Sequence, residues 1–335
     1  MEFDFFIGID VSKNALDFAV QHGGRFLFHR EIANDPPAIN AFIKELGKLP
    51  GFSLNKAVFC MEHTGIYNNH SLACLYKKKA YVCLEAATQI KNSLGNLRGK
   101  NDKVDAIRIA GYAYDKRDKL RLWVPKREVV QQLSHLAATR LRLITVKKQL
   151  KTPLKEHNAF SPAKVARQSL QVCSHSLKAI DQDIERADKA IAQLIAGDEE
   201  LTRIFKLVTS VSGIGKVTAV QVIVTTNEFK DINNPKKFAC YSGVAPFTND
   251  SGKITKKARV SHMANKKVKT LLHLSAIVAI QHNADLKLFY ERKVIQEKKN
   301  KMSVINAVRN KLILRIFACV NQNRPYQKNY CKLVA

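Results

Sequence analysis

Four acidic residues in this 335-residue chain have the types and the spacing that a metal-dependent nuclease requires. Asp10 and Glu62 each end an apolar run that reads as a strand. Asp102 and Asp105 lie three residues apart at the start of a helical pattern, so they share one helix face. Carboxylates that converge from two strand ends and one helix can hold two divalent cations about 4 Å apart, which act on the attacking and leaving oxygens of a phosphodiester.

Each of these acids also has a purely structural interpretation. An Asp after a strand is often a turn residue. Asp102 could be the N-cap of its helix, with Asp105 in the first turn. The occurrence of all four acids in this order favours the metal site over these alternatives.

The stretches around the acids predict a mixed α/β sheet. Three short β-rich runs come first, then a helix opened by two prolines, and then strand, helix and strand before the helix with the two aspartates. The predicted strands are 5–11, 16–20, 25–32, 57–62 and 80–85, and the predicted helices are 36–49, 67–79 and 102–114. The RNase H-type fold has this order, with an acid on its first strand, on a later strand and on a helix.

The chain is strongly basic, with 56 Lys and Arg against 28 Asp and Glu and a formal net charge of +28. Such a charge produces strong self-repulsion unless a polyanion is bound. Nucleic acid is the favoured partner, because each cation that neutralises a phosphate releases counterions. An anionic membrane surface ranks second, because neither end carries a basic amphipathic anchor, and acidic proteins rank third.

Composition also excludes several classes of protein. No window approaches the roughly 18 consecutive apolar residues that span a bilayer. The N-terminus lacks a basic region before its first apolar run, so we expect no signal peptide and a cytoplasmic protein. The seven cysteines form no CxxC pair and are expected to be buried thiols. No phosphate-binding loop of the GxxxxGK[ST] form indicates use of ATP.

Residues 127–198 predict a coiled-coil hairpin. A turn at Ser161-Pro162 separates a loosely periodic arm from a regular one. Apolar positions of the regular arm alternate three and four apart over about four heptads: Leu170, Cys173, Leu177, Ile180, Ile184, Ala187, Ile191 and Leu194. The arms can close on each other or pair with a second subunit, and the regularity of the seam favours a homo-oligomer, either a dimer or a tetramer.

Residues 199–335 are Lys-rich and predicted to be mostly helical, with two features that suit phosphate binding. Gly213 and Gly215 form a tight turn between helical stretches, as in a helix-hairpin-helix whose second helix, starting near Lys216, approaches a phosphate. A plain helical hairpin is the alternative. The stretch from 253 to 269 holds seven basic residues and no acid, and so predicts a track for a phosphate backbone rather than a solvated face: Lys253, Lys256, Lys257, Arg259, Lys266, Lys267 and Lys269.

One serine in this region lies in a loop next to glycine. Ser251 is either an ordinary turn serine or a nucleophile presented to a phosphate. Ser242, which is also followed by glycine, has an equal claim from spacing alone.

The order of these motifs resembles the bacterial insertion-sequence transposases of the DEDD type, which include Piv-type DNA invertases. Members open with a strand of the form IGIDVSK, which residues 7–13 match, and continue with E-x-T-G-x-Y, seen at 62–67. Their K-T-D-x-x-D-A element is found at 100–106, with Asn in place of Thr. A glycine hairpin at 211–215 and a G-x-x-P…S-G segment at 243–252 extend the match over nearly the whole chain.

The resemblance implies a domain organisation. Residues 1–126 would form an RNase H-like, RuvC-type catalytic domain. Residues 127–198 would form the coiled coil, and residues 199–335 a mostly helical transposase domain that carries the helix-hairpin-helix and the serine loop.

The resemblance also implies an activity. In such proteins the four acids hold Mg²⁺, which here carries over to Asp10, Glu62, Asp102 and Asp105. The serine of the S-G pair, here Ser251, attacks DNA to form a covalent phosphoserine intermediate. Members also use a structured RNA from their own element to choose donor and target DNA, so RNA is an implied partner.

Three other functions stay open at this point. A RuvC-type junction-resolving nuclease would hydrolyse DNA with water and need no serine. A site-specific DNA invertase would recombine DNA without a guide RNA. A binding module would keep the basic surface and carry out no chemistry.

Overall fold

The structure is a computed structural model that describes residues 2–93, 101–248 and 258–327. It divides into two compact units, residues 1–125 and residues 126–335. Within the described ranges, no helix is both long enough and apolar enough to cross a membrane.

In the described part of the chain, the first unit is built on a five-stranded mixed sheet. Its strands are β1 (Phe5–Val11), β2 (Ala15–His22), β3 (Arg25–Ala33), β4 (Ala57–Glu62) and β5 (Tyr81–Glu85). Their order is β3-β2-β1-β4-β5, with an antiparallel meander from β1 to β3 and with β4 and β5 parallel to β1. The predicted mixed α/β sheet is confirmed, and the strand that carries Asp10 lies at its centre.

Helices cover both faces of this sheet. They are α1 (Pro36–Leu46), α2 (Asn69–Lys77), α3 (Ala87–Ser93) and α4 (Asp102–Asp115). α1 and α2 share an apolar core with Ile7 and Ile9, whereas α4 packs with Phe6 on the opposite face. Because alternate residues of a strand point to opposite faces, Gly8 and Asp10 share the face that α4 covers.

The differences from the sequence-based predictions include three helices. α1 ends at Leu46 with Gly47 as its C-cap, three residues before the predicted end. α2 begins only at Asn69, because a 3-10 turn precedes it in which Gly65 has a φ of +83°. Helix α3 was not predicted, since its seven residues are too short to show a helical period.

The second unit begins with two long helices that form the predicted hairpin. They are α5 (Glu128–Phe160) and α6 (Ala163–Ala196), with the turn at Ser161 and Pro162. The two helices pair with each other within one chain, held by ion pairs from Arg140 to Asp188 and from Lys147 to Asp181. The hairpin therefore closes on itself. The regular seam favours pairing with a second subunit over this closure, so the structure differs from that expectation. Pairing with a second subunit stays a prediction.

Burial along the predicted seam of α6 decreases toward the tip of the hairpin. Ala187 and Ile191 are buried, whereas Ile180 and Ile184 are half-buried and Leu170 is 54% exposed. Two helices alone cover only part of an apolar stripe. The outer half of the hairpin thus keeps apolar surface that α5 does not cover.

The rest of the second unit is mostly helical, as predicted. Its elements are α7 (Glu199–Thr209), α8 (Lys216–Thr226), α9 (Pro235–Tyr241), β6 (Pro246–Phe247), β7 (Arg259–Val260), α10 (Lys266–His282), α11 (Ala284–Glu291) and α12 (Lys301–Asn321). One apolar core joins these helices to the base of the hairpin, where Val130 and Leu133 of α5 are fully buried.

Arg127, which precedes α5, connects separate segments of the second unit. Its guanidinium donates to Asp198 at 2.8 and 2.9 Å and also contacts both carboxylate oxygens of Glu228, whose side chain is fully buried. Arg127 lowers the pKa of Asp198. Burial acts to raise the pKa of Glu228, but hydrogen bonds from Arg127 and Lys230 outweigh burial and lower it. The hairpin is thereby fixed at its base by a charge network.

Candidate functional site

Asp10 and Glu62 lie at the ends of two neighbouring parallel strands. β1 and β4 pair with Ile9 opposite Met61, so the next residue on each strand is an acid. By strand alternation, both acids point to the sheet face that α4 covers. The two strand ends therefore bring their carboxylates to one edge of the sheet.

α4 approaches β1 closely because small residues meet at the contact. A β-carbon added at Gly8 would lie 2.1 Å from the carbonyl oxygen of Ala106 and 2.3 Å from the nitrogen of Ala110. Only glycine leaves room for backbone this near. The first turn of α4 carries Asp102 and Asp105 just before this contact. The contact thus sets the position of both acids relative to β1.

The N-cap of α4 is Asn101 rather than Asp102. The side-chain oxygen of Asn101 accepts a hydrogen bond from the N–H of Lys103 at 3.0 Å. The alternative in which Asp102 caps its own helix is therefore wrong. Asp105 forms an ion pair with Arg108 at 2.9 Å. Both acids lie in the first turn, where the helix dipole favours negative charge.

Asp10 lies in the electrostatic field of the other acids. Burial raises the pKa of Asp10, and the charges of Asp102, Asp105 and Glu62 raise it further, to about 6. Such a shift is typical of carboxylates that crowd one another. Burial is thus the main cause of the raised pKa of Asp10, and the charges of the three other acids act in the same direction.

The chemistry of these donors suits a hard divalent cation. Carboxylate oxygens are the ligands that Mg²⁺ and Mn²⁺ prefer, and a cation offsets the mutual repulsion that acts on Asp10. As their side chains are placed, no three Asp, Glu, His or Cys residues of the described ranges come close enough together to hold an ion. Coordination of a metal by three or more of these residues thus requires side-chain rotation.

Two further carboxylates belong to the same row across the sheet, and sequence reasoning missed them. Asp17 of β2 lies opposite Asp10, and Glu85 of β5 lies opposite Glu62. Asp17 is buried, and its carboxylate lies 2.7 Å from Nε2 of His29. Strand register is the signal that reveals both residues, since it aligns acids that lie far apart in sequence.

The predicted helix-hairpin-helix turn is present between α7 and α8, but its two glycines have different surroundings. Gly213 has a φ of +90° and faces α10, because a β-carbon there would lie 2.6 Å from the carbonyl oxygen of Ser275. Gly215 is exposed and precedes Lys216 at the start of α8 without a side-chain cap. Gly213 therefore packs the turn against α10, whereas Gly215 leaves the α8 N-terminus accessible to an anion.

Basic residues from two separate sequence motifs line one cleft of the second unit. The cleft has a volume of about 980 Å³ and lies among α5, α6, α7, α8 and α10. Its apolar lining includes Ile191, Ile195, Phe205 and Val220. Its polar lining includes Lys206, Lys216, Lys266 and Lys267, none of which forms an ion pair with a residue of the described ranges.

The electrostatics of this cleft favour an anion. Burial lowers the pKa of Lys267, which is half-buried. The acid in the lining, Asp188, is already paired with Arg140 at 2.5 Å. Among the residues that the structure describes, no acid of the lining is thus left to compensate the lysines of the cleft.

The remaining predicted phosphate contacts are dispersed. Arg259 is exposed on β7. Lys269 extends over Gly243, with its Nζ 3.6 Å from the position that a β-carbon of residue 243 would take. Neither residue lines the cleft. Lys253, Lys256 and Lys257 lie outside the described residues.

Of the two serines that have equal claims from spacing, the structure describes only Ser242. Ser242 is completely buried, and its hydroxyl donates to the carbonyl oxygen of Ala239 at 3.2 Å. A hydroxyl in that position cannot reach a phosphodiester. Ser251 lies outside the described residues, so its role stays a prediction.

Comparison with known families identifies the class of protein. Residues 7–157 match the DEDD transposase family of IS110, and residues 205–291 match the family described as "Transposase IS116/IS110/IS902 family". Transposases of this kind cut and rejoin DNA, and their DEDD domains usually use divalent metal ions. The chain belongs to the IS110/IS116 family of transposases.

Individual relatives agree with this assignment. The chain is 26% identical over 331 residues to the "Pilin gene-inverting protein" of Moraxella lacunata, covering 96% of this chain and 98% of that protein. The protein of the same name from Moraxella bovis has the same identity and coverage. A protein of insertion element IS116 from Streptomyces clavuligerus is 22% identical over 120 residues, 36% of this chain and 29% of that protein.

Proposed function

We propose that this transposase cuts and rejoins DNA through a phosphoserine intermediate at Ser251, with Mg²⁺ held by the four acids. The observation that carries the metal half of the proposal is the placement of the acids: Asp10 and Glu62 end neighbouring parallel strands, and the close contact of α4 with Gly8 places Asp102 and Asp105 near the same strand. The serine half is supported by the family resemblance and by the burial of Ser242, which removes the competing hydroxyl.

The topology of the first unit supports an RNase H-like fold. The strand order β3-β2-β1-β4-β5, with the meander antiparallel and the last two strands parallel to β1, is the arrangement of that fold. Its acids occupy the end of the central strand, the end of the adjacent parallel strand and the first turn of α4. These are the positions at which a nuclease of this type holds its metals.

The proposed reaction divides the work between a metal site and a nucleophile. Asp10, Glu62, Asp102 and Asp105 would hold Mg²⁺, which would stabilise negative charge on the scissile phosphodiester. Ser251 Oγ forms a bond to phosphorus while the bond from phosphorus to the 3′ oxygen of the DNA breaks, and the serine proton passes, directly or through water, to the leaving oxygen, which becomes a 3′ hydroxyl. Attack by a 3′ hydroxyl then reverses these changes and releases the serine, so strand joining needs no external energy source.

DNA is expected to contact the second unit through phosphates. The lysine-lined cleft and the uncapped start of α8 offer uncompensated positive charge at neighbouring positions, in the residues Lys216, Lys266 and Lys267. Backbone contacts of this kind fix the protein on the duplex without reading its sequence. Gly215 allows close approach of a phosphate to the helix N-terminus.

Sequence choice is assigned to a guide RNA from the same genetic element. The family resemblance supports this part of the proposal, and the basic surface accommodates RNA as well as DNA. Base pairing would select donor and target, while the protein holds backbone. Recombination by the purified protein should therefore depend on addition of the element's non-coding transcript. Recombination without the transcript would show that no guide RNA is needed.

A homo-oligomer is proposed through the outer half of the hairpin. Val172 is 75% exposed and Leu170 is 54% exposed near its tip, where α5 leaves apolar surface uncovered. Replacing both with Asp should lower the mass in solution, measured by light scattering, without unfolding the chain. An unchanged mass would place the subunit contact elsewhere or exclude an oligomer.

One experiment separates the proposal from hydrolysis by a junction-resolving nuclease. Ser251→Ala should abolish strand cleavage while Mg²⁺-dependent stabilisation of the chain persists. If Ser251→Ala cleaves normally and Asp10→Asn does not, the acids hydrolyse DNA with water and the serine is not needed. If both variants recombine DNA normally, the protein's chemistry lies in neither site.

A DNA invertase is a second candidate, favoured by the extent of the likeness to the pilin gene-inverting proteins. That likeness covers 96% of this chain, whereas the likeness to the IS116 protein covers 36%. An invertase inverts a segment between two fixed sites and leaves its own gene in place. Sequencing the products from a plasmid that carries both the element and a candidate invertible segment distinguishes the two outcomes.

A further inference from the structure

Two asparagines bond to the chain segments that follow the acid-bearing strands: Asn68 lies in the turn after β4, and Asn34, which follows β3, reaches the segment after β1. We propose that Asn68 and Asn34 are positioning residues that hold Glu62 and Asp10 at a fixed spacing, through amide hydrogen bonds that an aspartate cannot make. This inference rests on the proposed metal site. It names residues that act through the backbone of the acids, not residues that touch metal or DNA.

Asn68 closes the segment that follows Glu62. It is 1% exposed, and its Nδ2 donates to the carbonyl oxygen of Glu62 at 2.8 Å. Its Oδ1 accepts from the N–H of Thr64 at 2.7 Å and from the Thr64 hydroxyl at 3.0 Å. One side chain thus connects the end of β4 to the turn before α2, and it fixes the backbone from which the Glu62 carboxylate extends.

Asn34 connects this turn to the end of β1. Its Nδ2 donates to the carbonyl oxygen of Ser12 at 2.9 Å and to that of Tyr67 at 3.1 Å. Ser12 follows Asp10 by two residues, and Tyr67 precedes Asn68. Asn34 therefore bridges the two chain segments that leave the acidic edge of the sheet. Its backbone N–H donates to the carbonyl oxygen of Asn14 at 2.9 Å, which fixes its own position.

The chemistry of the amide explains why these positions require asparagine. The contacts to Glu62, Ser12 and Tyr67 all need a donor, and a carboxylate has none. An aspartate would instead place negative oxygens against carbonyl oxygens and add charge beside acids that already repel one another. The buried Oδ1 of Asn34 has no hydrogen-bond partner in the described ranges, so the side chain is held by its donor group alone.

Residues that orient metal ligands without touching the metal commonly change metal affinity 10- to 100-fold when altered. Asn68→Asp and Asn34→Asp are nearly isosteric changes that remove the donor. Each should therefore raise the Mn²⁺ concentration that produces half of the metal-induced rise in Tm by about tenfold or more. The measurement uses the full chain without DNA, so it does not depend on catalysis. Strand cleavage should recover at high Mn²⁺.

Asn40→Asp is the matched control. Asn40 also donates through Nδ2 to a backbone carbonyl, that of Pro36 at 2.8 Å, but it lies on α1, which packs on the other face of the sheet. Its Mn²⁺ midpoint should stay within about twofold of the wild-type value. If Asn68→Asp does not fold, Asn34→Asp still tests the bonds to Ser12 and Tyr67, and Thr64→Val removes only the hydroxyl that donates to Oδ1 of Asn68.

Two results would overturn the inference. If Asn68→Asp and Asn34→Asp lower Tm but leave the Mn²⁺ midpoint within about twofold, the asparagines stabilise the loops and do not position the acids. If Asp10→Asn also keeps the wild-type midpoint, the proposed metal site itself fails, and the inference falls with it. If the Mn²⁺ midpoint shifts in Asp10→Asn but not in the asparagine variants, the metal site stands and only the positioning role of the asparagines is rejected.

Discussion

A β-carbon at Gly8 would lie 2.1 Å from the carbonyl oxygen of Ala106, so the central strand and α4 are in contact through backbone. This contact couples two acidic segments that are about ninety residues apart in sequence. Asp10 follows Gly8 by two residues on the same sheet face, and Asp102 precedes Ala106 by one helical turn. The geometry of the acidic cluster therefore depends on the absence of one side chain.

Gly8→Ala should displace α4 and disrupt the acidic cluster. Overpacking against backbone typically costs 1–3 kcal/mol, and the closeness of this contact predicts a loss of about 3 kcal/mol in the free energy of unfolding. The metal-induced rise in Tm should weaken as well. Denaturant unfolding and thermal melts with and without Mg²⁺ measure the two effects.

Gly111→Ala is the control on the same helix. A β-carbon there meets no atom within 4 Å, and the residue lies inside α4. The substitution should stabilise the chain by up to about 1 kcal/mol through helix propensity. Equal effects of the two substitutions would show that the close approach of α4 to β1 is not what holds the acids in place.

Asp10→Asn should stabilise the metal-free chain at neutral pH. Because the pKa of Asp10 is about 6 in the folded protein against 3.8 as its ordinary value, the folded state binds more protons than the unfolded state between these pH values. Stability from this group therefore falls as pH rises from about 4 to about 6, and the full cost is present above pH 6. Melts in EDTA should show a higher Tm for Asp10→Asn at pH 7.5 and no difference below pH 4.

In Mg²⁺ the wild-type chain should have the higher Tm, because the metal stabilises the wild-type chain and not Asp10→Asn. Asp118→Asn, at an exposed position, should follow the wild-type protein at every pH. A Tm for Asp10→Asn that equals the wild-type value across the whole range would show that neither burial nor the neighbouring acids raise the pKa of Asp10.

Lys216→Ala and Lys267→Ala should weaken DNA binding in a salt-dependent way. Each lysine that neutralises a phosphate contributes about 0.9 to the slope of log K against log salt for duplex DNA, so each variant should reduce that slope by about one. Fluorescence anisotropy at several salt concentrations measures the slope. Lys287→Ala removes the same charge from α11, outside the cleft, and should leave the slope unchanged. The same loss in all three variants would mean that net charge, and not the cleft, binds DNA.

Arg127→Ala should destabilise the second unit strongly. It leaves the fully buried carboxylate of Glu228 without its main partner, and breaking a buried charge pair costs about 3 kcal/mol or more. Arg186→Ala, which breaks an exposed pair with Asp183, should cost less than about 1 kcal/mol. Chemical denaturation of both variants tests the difference, and similar losses would contradict the account of the hairpin base.

The network at Arg127 also has a pH signature. The pKa values of Asp198 and Glu228 are lowered in the folded chain, so the stability they confer is present above their ordinary values and is lost as pH falls through the lowered ones. Arg127→Ala should remove much of this acid sensitivity. Melts between pH 2 and pH 5 would show it as a flatter dependence of Tm on pH.

Much of the fold follows from local patterns in the sequence. The strands near Asp10 and Glu62, the turn at Ser161 and the helices on either side of Gly213 were all predicted, because hydrophobic period and turn residues are local signals. Helix α3 was missed because seven residues show no period. The sequence also favours pairing of the hairpin with a second subunit over self-closure. A heptad seam indicates that a partner helix is present, but it does not show whether the same chain or another supplies that helix.

The site could be predicted only in part. The four acids were found by type and order, but Asp17 and Glu85 become visible only when strand register aligns them with Asp10 and Glu62. Asn68 carries no sequence signal, because its role depends on a buried amide that meets the Glu62 carbonyl in three dimensions. Lys216 and Lys267 belong to different motifs, and only the folded helices bring them to one cleft.

The most direct test of the central claim is to trap and map the covalent protein–DNA intermediate. Wild-type protein, Mg²⁺, guide RNA and a nicked DNA substrate that prevents rejoining should yield an adduct. Trypsin places both Ser242 and Ser251 in the peptide 238–253, and fragmentation by mass spectrometry distinguishes them. The account predicts a nucleotide on Ser251, and no adduct in Asp10→Asn. DNA that is cleaved without any adduct, or an adduct on another residue, would contradict it.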